Sequence, residues 1–166
     1  MPNEAFAIER IGPGFTRWDA VLSLVLAAFD YMGPLIDPPS SALRLTTRSL
    51  EEKARDETGF VALSQGRIVG CVFCKREYDC LYVGKLAIDP SLQGRGIGRA
   101  LIGEAEALAR AHGLGALRLQ TRIELTANHA TFERWGFERT GLSAHDGFER
   151  PTTVEMRKAL VSEPAA

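Results

Sequence analysis

The sequence has few of the features that mark secreted, membrane-bound or nucleic-acid-binding proteins. Its 166 residues include only three cysteines, and an odd count without an apolar signal core in Met1 to Arg10 favours free thiols. No apolar run approaches the ~20 residues that a membrane span needs. The net charge of −1 gives no support for a nucleic-acid partner. We therefore expect a cytoplasmic protein with one domain, residues 1–166, and no membrane or nucleic-acid partner.

Cysteine and histidine are too sparse and too poorly spaced to indicate a metal site. Cys71 and Cys74 have a Cys-x-x-Cys spacing, but they lie within a strand pattern, where residues three apart point to opposite faces of the sheet. The three histidines are not at ligand spacing. We interpret the cysteines as small buried residues and expect no metal.

The hydrophobic pattern predicts a mixed α/β (α+β) domain. A first helix is expected to begin at Thr16, with Asp19 as a capping-box variant, and a second at Ser49, with Glu52 in the capping position and Gly59 at the end. The remaining predicted helices cover residues 99–112 and 127–135. Strands are expected at 5–11, 60–63, 68–75, 78–88, 116–121, 137–142 and 153–160. This order, β-α-α-β-β-β-α-β-α-β-β, combines antiparallel hairpins with one parallel β-α-β crossover.

A glycine-rich turn, Gln93-Gly94-Arg95-Gly96-Ile97-Gly98, connects a predicted strand to a predicted helix. The first amides of a helix lack partners within the helix, and glycines allow a phosphate to approach them. The turn is not a dinucleotide fingerprint, because the third glycine position is Arg99 or Leu101. It is not a Walker A loop either, because Gly98 is followed by Arg99 and Ala100. A phosphate site and a ligand-free connection remain open.

The segment Gln93-x-x-Gly96-x-Gly98, after a strand ending Leu86-Ala87-Ile88-Asp89-Pro90, resembles the acetyl-CoA pyrophosphate loop of the GNAT family, the GCN5-related N-acetyltransferases. Residues 128–137, Asn-His-Ala-Thr-Phe-Glu-Arg-Trp-Gly-Phe, resemble the second helix motif of that family. The resemblance implies a mostly antiparallel central sheet flanked by helices. It also implies transfer of an acetyl group from acetyl-CoA, the cosubstrate, to a primary amine of a small molecule or protein by direct attack.

The resemblance leaves two other functions open and suggests an assembly. The chain could be a CoA-binding module with weak or no catalysis, or it could transfer another acyl group. Many relatives dimerise, and the strand from Pro151 to Leu160 is a candidate exposed edge for a homodimer.

The resemblance also assigns cofactor-binding roles residue by residue. Backbone amides of the loop would hold the pyrophosphate, and backbone groups of the preceding strand would meet the pantetheine arm. Asn128 matches an Asn that reaches the pantetheine, and Phe132 replaces a Tyr that serves as general acid for the leaving thiolate. The full predicted set is Leu86, Ala87, Ile88, Gln93, Gly94, Arg95, Gly96, Ile97, Gly98, Arg99, Asn128 and Phe132.

The catalytic and acceptor-binding residues are predicted from strand ends and loops that would face the cleft. Tyr82 and Glu124 are candidate bases, and the backbone amide near Ile88 would polarise the thioester carbonyl. The resemblance implies that the acceptor pocket is built from the first two helices, their loop and the last hairpin, here residues 29–33 and 143–148. Its candidate contacts are Asp30 and Asp146 for a cationic amine, Tyr31 beside it, and His145 as acid or base.

Overall fold

The computed structural model describes residues 5–161, so residues 1–4 and 162–166 of the predicted 1–166 domain lie outside the described part. Four helices and seven strands follow each other in the predicted order. The helices are α1 (Trp18–Phe29), α2 (Thr47–Asp56), α3 (Ile97–Ala111) and α4 (Thr126–Arg134). The strands are β1 (Ala7–Arg10), β2 (Thr58–Ser64), β3 (Arg67–Arg76), β4 (Leu81–Ile88), β5 (Ala116–Arg122), β6 (Glu138–Ser143) and β7 (Thr153–Ala159).

The seven strands form one sheet in the order β1-β2-β3-β4-β5-β7-β6. The β4–β5 pair is parallel and is connected through α3, while the other neighbours are antiparallel. The predicted edge position of the strand from Pro151 to Leu160 is wrong, because β7 pairs with β5 on one side and β6 on the other. The exposed edge on that side is β6, so a homodimer stays a prediction without its expected strand.

Apolar residues cover both faces of the sheet. Side chains of α1 and α2 pack on one face, and side chains of α3 pack on the other. Cys71 belongs to the first layer and Cys74 to the second, which confirms that they point to opposite faces. Burial raises the pKa of each of these thiols to about 12, so both are protonated core side chains at neutral pH.

The first helix begins two residues after the predicted start. Arg17 is the N-cap of α1 and provides no side-chain cap, so Thr16 does not begin the helix. The helix depends instead on burial of Trp18, Val21 and Val25 against the sheet.

The start of the second helix also differs from the prediction. Thr46 caps α2, and its hydroxyl accepts a hydrogen bond from the amide of Ser49 at 3.0 Å, while Ser49 Oγ accepts from the Thr46 amide at 2.9 Å. This reciprocal pair satisfies two backbone donors and replaces the predicted Ser49–Glu52 box. Gly59 does not end the helix, because α2 stops at Asp56 and Gly59 lies in β2. Among residues 5–161, no helix is long and apolar enough to cross a membrane.

Candidate functional site

Strands β4 and β5 separate shortly after they begin to pair. Their register includes only Leu81 with Leu117 and Tyr82 with Arg118, although β4 continues to Ile88 and β5 to Arg122. Beyond Tyr82, the facing backbone edges of the two strands are therefore not joined by ladder hydrogen bonds. A gap opens in the middle of the sheet, with backbone donors and acceptors along its sides.

The amide of Ile88 points into this gap. The next residue, Asp89, donates its amide to the Val69 carbonyl of the β3 side at 2.8 Å. Because consecutive residues of a strand direct their backbone groups to opposite sides, the Ile88 N–H faces the β5 side. That side is the open one, so this donor is available to a bound group.

The glycine-rich turn forms the start of α3. Gly96 is the N-cap residue, with a φ of 87°, and Gly94 has a φ of 78°, so both occupy the left-handed region that favours glycine. The helix then begins at Ile97, and the first bond back to the cap is donated by Ala100 to the Gly96 carbonyl at 3.0 Å. The amides of residues 97, 98 and 99 precede that bond and are free of intrahelical partners.

The turn before the loop is fixed by Asp89. Its Oδ1 accepts hydrogen bonds from the Ser91 amide at 2.9 Å and the Ser91 hydroxyl at 2.7 Å, while Oδ2 accepts from Arg67 at 3.0 Å. The bonds from Ser91 are the main reason that the pKa of Asp89 lies below its usual value. This ionised carboxylate therefore ties the end of β4 to Ser91, in the turn that precedes the glycine-rich loop.

A cavity of about 450 Å³ lies against the start of α3; we call it the α3 cavity. It includes nearly all the predicted cofactor-binding residues. Arg95 does not line it and is exposed, whereas Arg99 does line it. Trp135 also lines the cavity and was missed, because its position beside the turn depends on how α4 packs. The predicted residues that line it are Leu86, Ala87, Ile88, Gln93, Gly94, Gly96, Ile97, Gly98, Arg99, Asn128 and Phe132.

A second cavity of about 550 Å³ lies on the other side of the gap; we call it the β5 cavity. It is lined by β4, β5, the loop before α2 and part of the β6–β7 connection. Predicted residues Tyr82 and His145 line it. It also contains three cations that the sequence did not single out: Arg44, Lys85 and Arg122.

The two cavities meet at a junction. Phe132 and Asn128, one helical turn apart on α4, line both cavities. Tyr31 is bonded to Asn128, with 3.2 Å between the hydroxyl oxygen and Nδ2. An Asn can also serve as a helix cap, but Leu125 is the N-cap of α4 and Asn128 lies inside the helix. The residues shared by both cavities are Phe29, Met32, Leu86, Asn128 and Phe132.

The two predicted bases are placed differently. Tyr82 lines the β5 cavity beside Arg118, whose guanidinium lies 4.5 Å from the ring centroid, and burial raises the pKa of the Tyr82 phenol. It is therefore a neutral donor at pH 7. Glu124 lines neither cavity, and its Oε1 lies 3.5 Å from Nη1 of Arg150.

The predicted acceptor contacts are only partly assembled. Asp30 and Asp146 are exposed and line neither cavity, whereas Tyr31 lines the α3 cavity rather than the β5 cavity. His145 lines the β5 cavity, and its pKa is lowered, first by burial and then by the nearby Arg122. The His145 ring is thus neutral at pH 7. Within the described residues, no group of three or more His, Cys, Asp or Glu side chains could hold a metal.

The fold therefore combines a split sheet, a cavity at the free amides of a helix start and a second cavity that meets the first at one junction. The family model for the Acetyltransferase (GNAT) family matches residues 18–137, and the chain belongs to that family. As a member of this family, the protein is an acetyltransferase.

Two curated relatives are similar over most of their length. "IAA acetyltransferase" of Azospirillum brasilense is 32% identical over 163 residues, which cover 96% of this chain and 100% of the relative. "N-alpha-acetyltransferase RimI" of Mycobacterium tuberculosis is 33% identical over 135 residues, covering 76% of this chain and 77% of the relative.

Solved structures support the fold at lower identity. The ribosomal-protein-S18-alanine N-acetyltransferase of Escherichia coli superimposes with a TM-score of 0.72 at 18% identity, covering 96% of this chain and 97% of the other. The PaiA N-acetyltransferase of Thermoplasma acidophilum, solved with coenzyme A, has a TM-score of 0.74 at 15% identity, covering 92% and 99%.

Proposed function

We propose that the protein transfers an acetyl group from acetyl-CoA to a primary amine by direct attack. The observation that carries this proposal is the meeting of two cavities at the β4–β5 gap. One cavity lies against the free amides of α3, and the other, with a volume of about 550 Å³, offers space for a separate acceptor. A donor and an acceptor bound on opposite sides would bring their reacting groups to the junction.

The α3 cavity has the chemistry that the donor requires. Free amides at a helix start, together with Arg99, suit a pyrophosphate. The glycines keep side chains away from those amides, and the edge of β4 offers backbone groups to an extended arm. We also propose that Asn128 contacts the arm and that the Ile88 N–H donates a hydrogen bond to the acetyl oxygen.

The reaction balances without a metal or redox group. The amine nitrogen forms a bond to the acetyl carbonyl carbon, and the carbon–sulfur bond breaks. The nitrogen loses one proton, and the departing thiolate accepts one, giving the amide and free CoA. This chain must therefore provide a path for each proton.

Tyr31 is our candidate for protonating the thiolate. Phe132 cannot donate a proton, but the Tyr31 hydroxyl is held at Asn128, one turn before Phe132 on the same helix. Tyr31 also lines the α3 cavity. The Tyr31 hydroxyl, from the turn after α1, would thus act as the general acid in place of a Tyr at position 132 of α4.

The acceptor amine would lose its proton to solvent. In the part of the chain that the structure describes, no Asp or Glu lines the β5 cavity. Glu124 lines neither cavity, and the raised pKa of Tyr82 makes the Tyr82 phenol a poor base. Turnover should therefore rise with pH as the free acceptor amine deprotonates.

A second candidate function is a CoA-binding module with weak transfer, because Phe132 lacks the hydroxyl that would protonate the leaving thiolate. Calorimetric titration with acetyl-CoA tests the donor half that both functions share. Release of free thiol from acetyl-CoA in the presence of an amine panel, above the spontaneous rate, separates them. Competition by longer acyl-CoAs tests transfer of another acyl group. Failure of acetyl-CoA to bind would contradict both functions.

A further inference from the structure

The β5 cavity has a strong positive charge that acetyl transfer itself does not require. Arg44 comes from the turn before α2, Lys85 from β4 and Arg122 from β5, so three separate segments each place a cation at one cavity. No carboxylate among residues 5–161 lines it. The net charge of the whole chain is −1, so this excess is local.

Lys85 reaches the cavity through an irregularity of β4. Its φ is 51°, and the register between β3 and β4 shifts at this point. The ammonium donates one hydrogen bond, to Ser41 Oγ at 2.9 Å, and has two further hydrogens. Burial first, and then the nearby cations Lys53 and Arg44, lower the Lys85 pKa, which indicates a positive environment that no carboxylate fully balances.

Arg122 also has an unused donor. Its Nη2 donates to the Pro39 carbonyl at 3.0 Å, whereas Nη1 is buried and has no hydrogen-bond partner. Arg150 lies 3.5 Å from Asp37 Oδ2 and from Glu124 Oε1, while the other Glu124 oxygen, Oε2, is buried without a partner. Burial is the main cause that lowers the pKa of Arg122, and the nearby Glu124 and Asp37 oppose it without bonding to Nη1. A guanidinium nitrogen that is buried without an acceptor is costly, so the charge of Arg122 is incompletely balanced by the protein and a bound anion in the cavity would offset it.

His145 adds a neutral donor. The buried Thr152 Oγ1 accepts the His145 backbone amide at 2.8 Å and also contacts His145 Nδ1. In the tautomer in which the Thr152 hydroxyl donates to Nδ1, that hydroxyl hydrogen and the His145 backbone amide both have partners. The imidazole hydrogen then lies on Nε2, so this nitrogen is a donor rather than a base.

We propose that the acceptor carries an anionic group, a carboxylate or a phosphate, which Lys85, Arg122 and Arg44 bind while its amine points to the junction. This inference rests on the proposed function. Charge-assisted hydrogen bonds from a guanidinium and an ammonium suit either anion. The apolar side chains Leu119, Leu125 and Met32 in the same cavity suit an apolar body between the anion and the amine.

Matched acceptors test the proposal by turnover. L-phenylalanine is compared with L-phenylalaninamide, and O-phosphoethanolamine with ethanolamine, with spermidine as a cationic acceptor. We expect at least a tenfold higher kcat/KM for an anionic member than for its uncharged partner, and the pair that shows it identifies carboxylate or phosphate. A higher value for spermidine or for both uncharged members would overturn the proposal.

Variants locate the effect. Lys85→Met should reduce the preference about tenfold, and the surface change Arg44→Gln should reduce it less. Arg48→Gln is the control, because it also removes one positive charge, but Arg48 lies outside the cavity and pairs with Glu52 on the surface of α2. Equal preferences in Lys85→Met, Arg44→Gln and wild type would contradict the assignment.

A binding measurement keeps the test decisive if none of these amines turns over. 3-Phenylpropionate and its amide serve as the carboxylate probe and its uncharged control, because they lack the amine and cannot be acetylated. O-phosphoethanolamine serves as the phosphate probe. Each compound is titrated calorimetrically into wild type and Lys85→Met. Binding of an anionic probe, weakened in Lys85→Met, supports the proposal, and no binding of either anion overturns it. A parallel acetyl-CoA titration reports the donor half separately, so the failure of the proposed function is distinguishable.

Discussion

Replacement of Gly96 by Glu tests whether the start of α3 binds the pyrophosphate. Gly66, in the β2–β3 turn, is a matched control: its φ is 76° against 87° at Gly96, and a Cβ would meet nothing within 4 Å at either position. Gly66 lines neither cavity. A side chain in the left-handed region costs about 1–2 kcal/mol at each site. Both variants should therefore lose similar stability, about 2–4 °C of Tm per kcal/mol.

The two variants should differ in binding. A carboxylate roughly 5 Å from one phosphate charge is repelled by about 3 kcal/mol at an effective dielectric constant of 20. Gly96→Glu should therefore weaken acetyl-CoA binding by more than about 100-fold, while Gly66→Glu keeps the wild-type affinity. Calorimetric titration and thermal unfolding measure both quantities on the same samples. A folded Gly96→Glu variant with wild-type affinity would refute the site.

Three further predictions concern the proton path, acid stability and the thiols. Tyr31→Phe should lower the turnover rate at saturating acetyl-CoA about tenfold or more, and adding Phe132→Tyr should restore part of it; an unchanged rate in Tyr31→Phe would exclude the hydroxyl as acid. Hydrogen bonds from Arg118 are the main cause that lowers the pKa of Glu77. The Glu77 carboxylate therefore stabilises the folded protein at pH values above its unfolded-state pKa, and this stabilisation is lost as the pH falls through its folded-state pKa. Melting curves between pH 7 and pH 3 should show a smaller acid-dependent fall in Tm for Glu77→Gln than for wild type, and equal falls would contradict this linkage. Cys71 and Cys74, with pKa values raised to about 12 by burial, should not react with Ellman's reagent at pH 8 until the protein is unfolded, and rapid reaction of the native protein would place them outside the core.

The order of helices and strands was predictable because it depends on local patterns. The apolar spacing of α3 predicts one buried face, and that prediction is confirmed, since the structure buries Ile97, Leu101, Ala105 and Leu108. The predicted strand at 68–75 is also confirmed, and its uninterrupted apolar run is buried on both faces of the sheet. Helix starts were less predictable. Thr46 is the N-cap of α2, but the next residue, Thr47, has the same side chain and could cap a helix equally well, so the sequence does not distinguish them. Strand order was not a local property either, since the hairpin β6–β7 joins β5 through its second strand.

The same distinction separates the two halves of the site. About half of the α3 cavity lining comes from residues 86–99, one continuous segment whose strand, turn and helix start are visible in the sequence, and the rest comes from α1, the turn after it and α4. The β5 cavity combines Arg44, Lys85 and Arg122, which are separated from one another by about 40 residues in the sequence. None of the three lies in a sequence motif that would identify it as a ligand contact. The position of Lys85 is the least predictable, because nothing in the sequence indicates that a lysine within a strand adopts a positive φ. The donor half can thus be shared by chains that have the same turn, whereas the acceptor depends on which charges the sheet and loops assemble. A cation-lined cavity favours an anionic acceptor even in a chain whose overall charge is slightly negative.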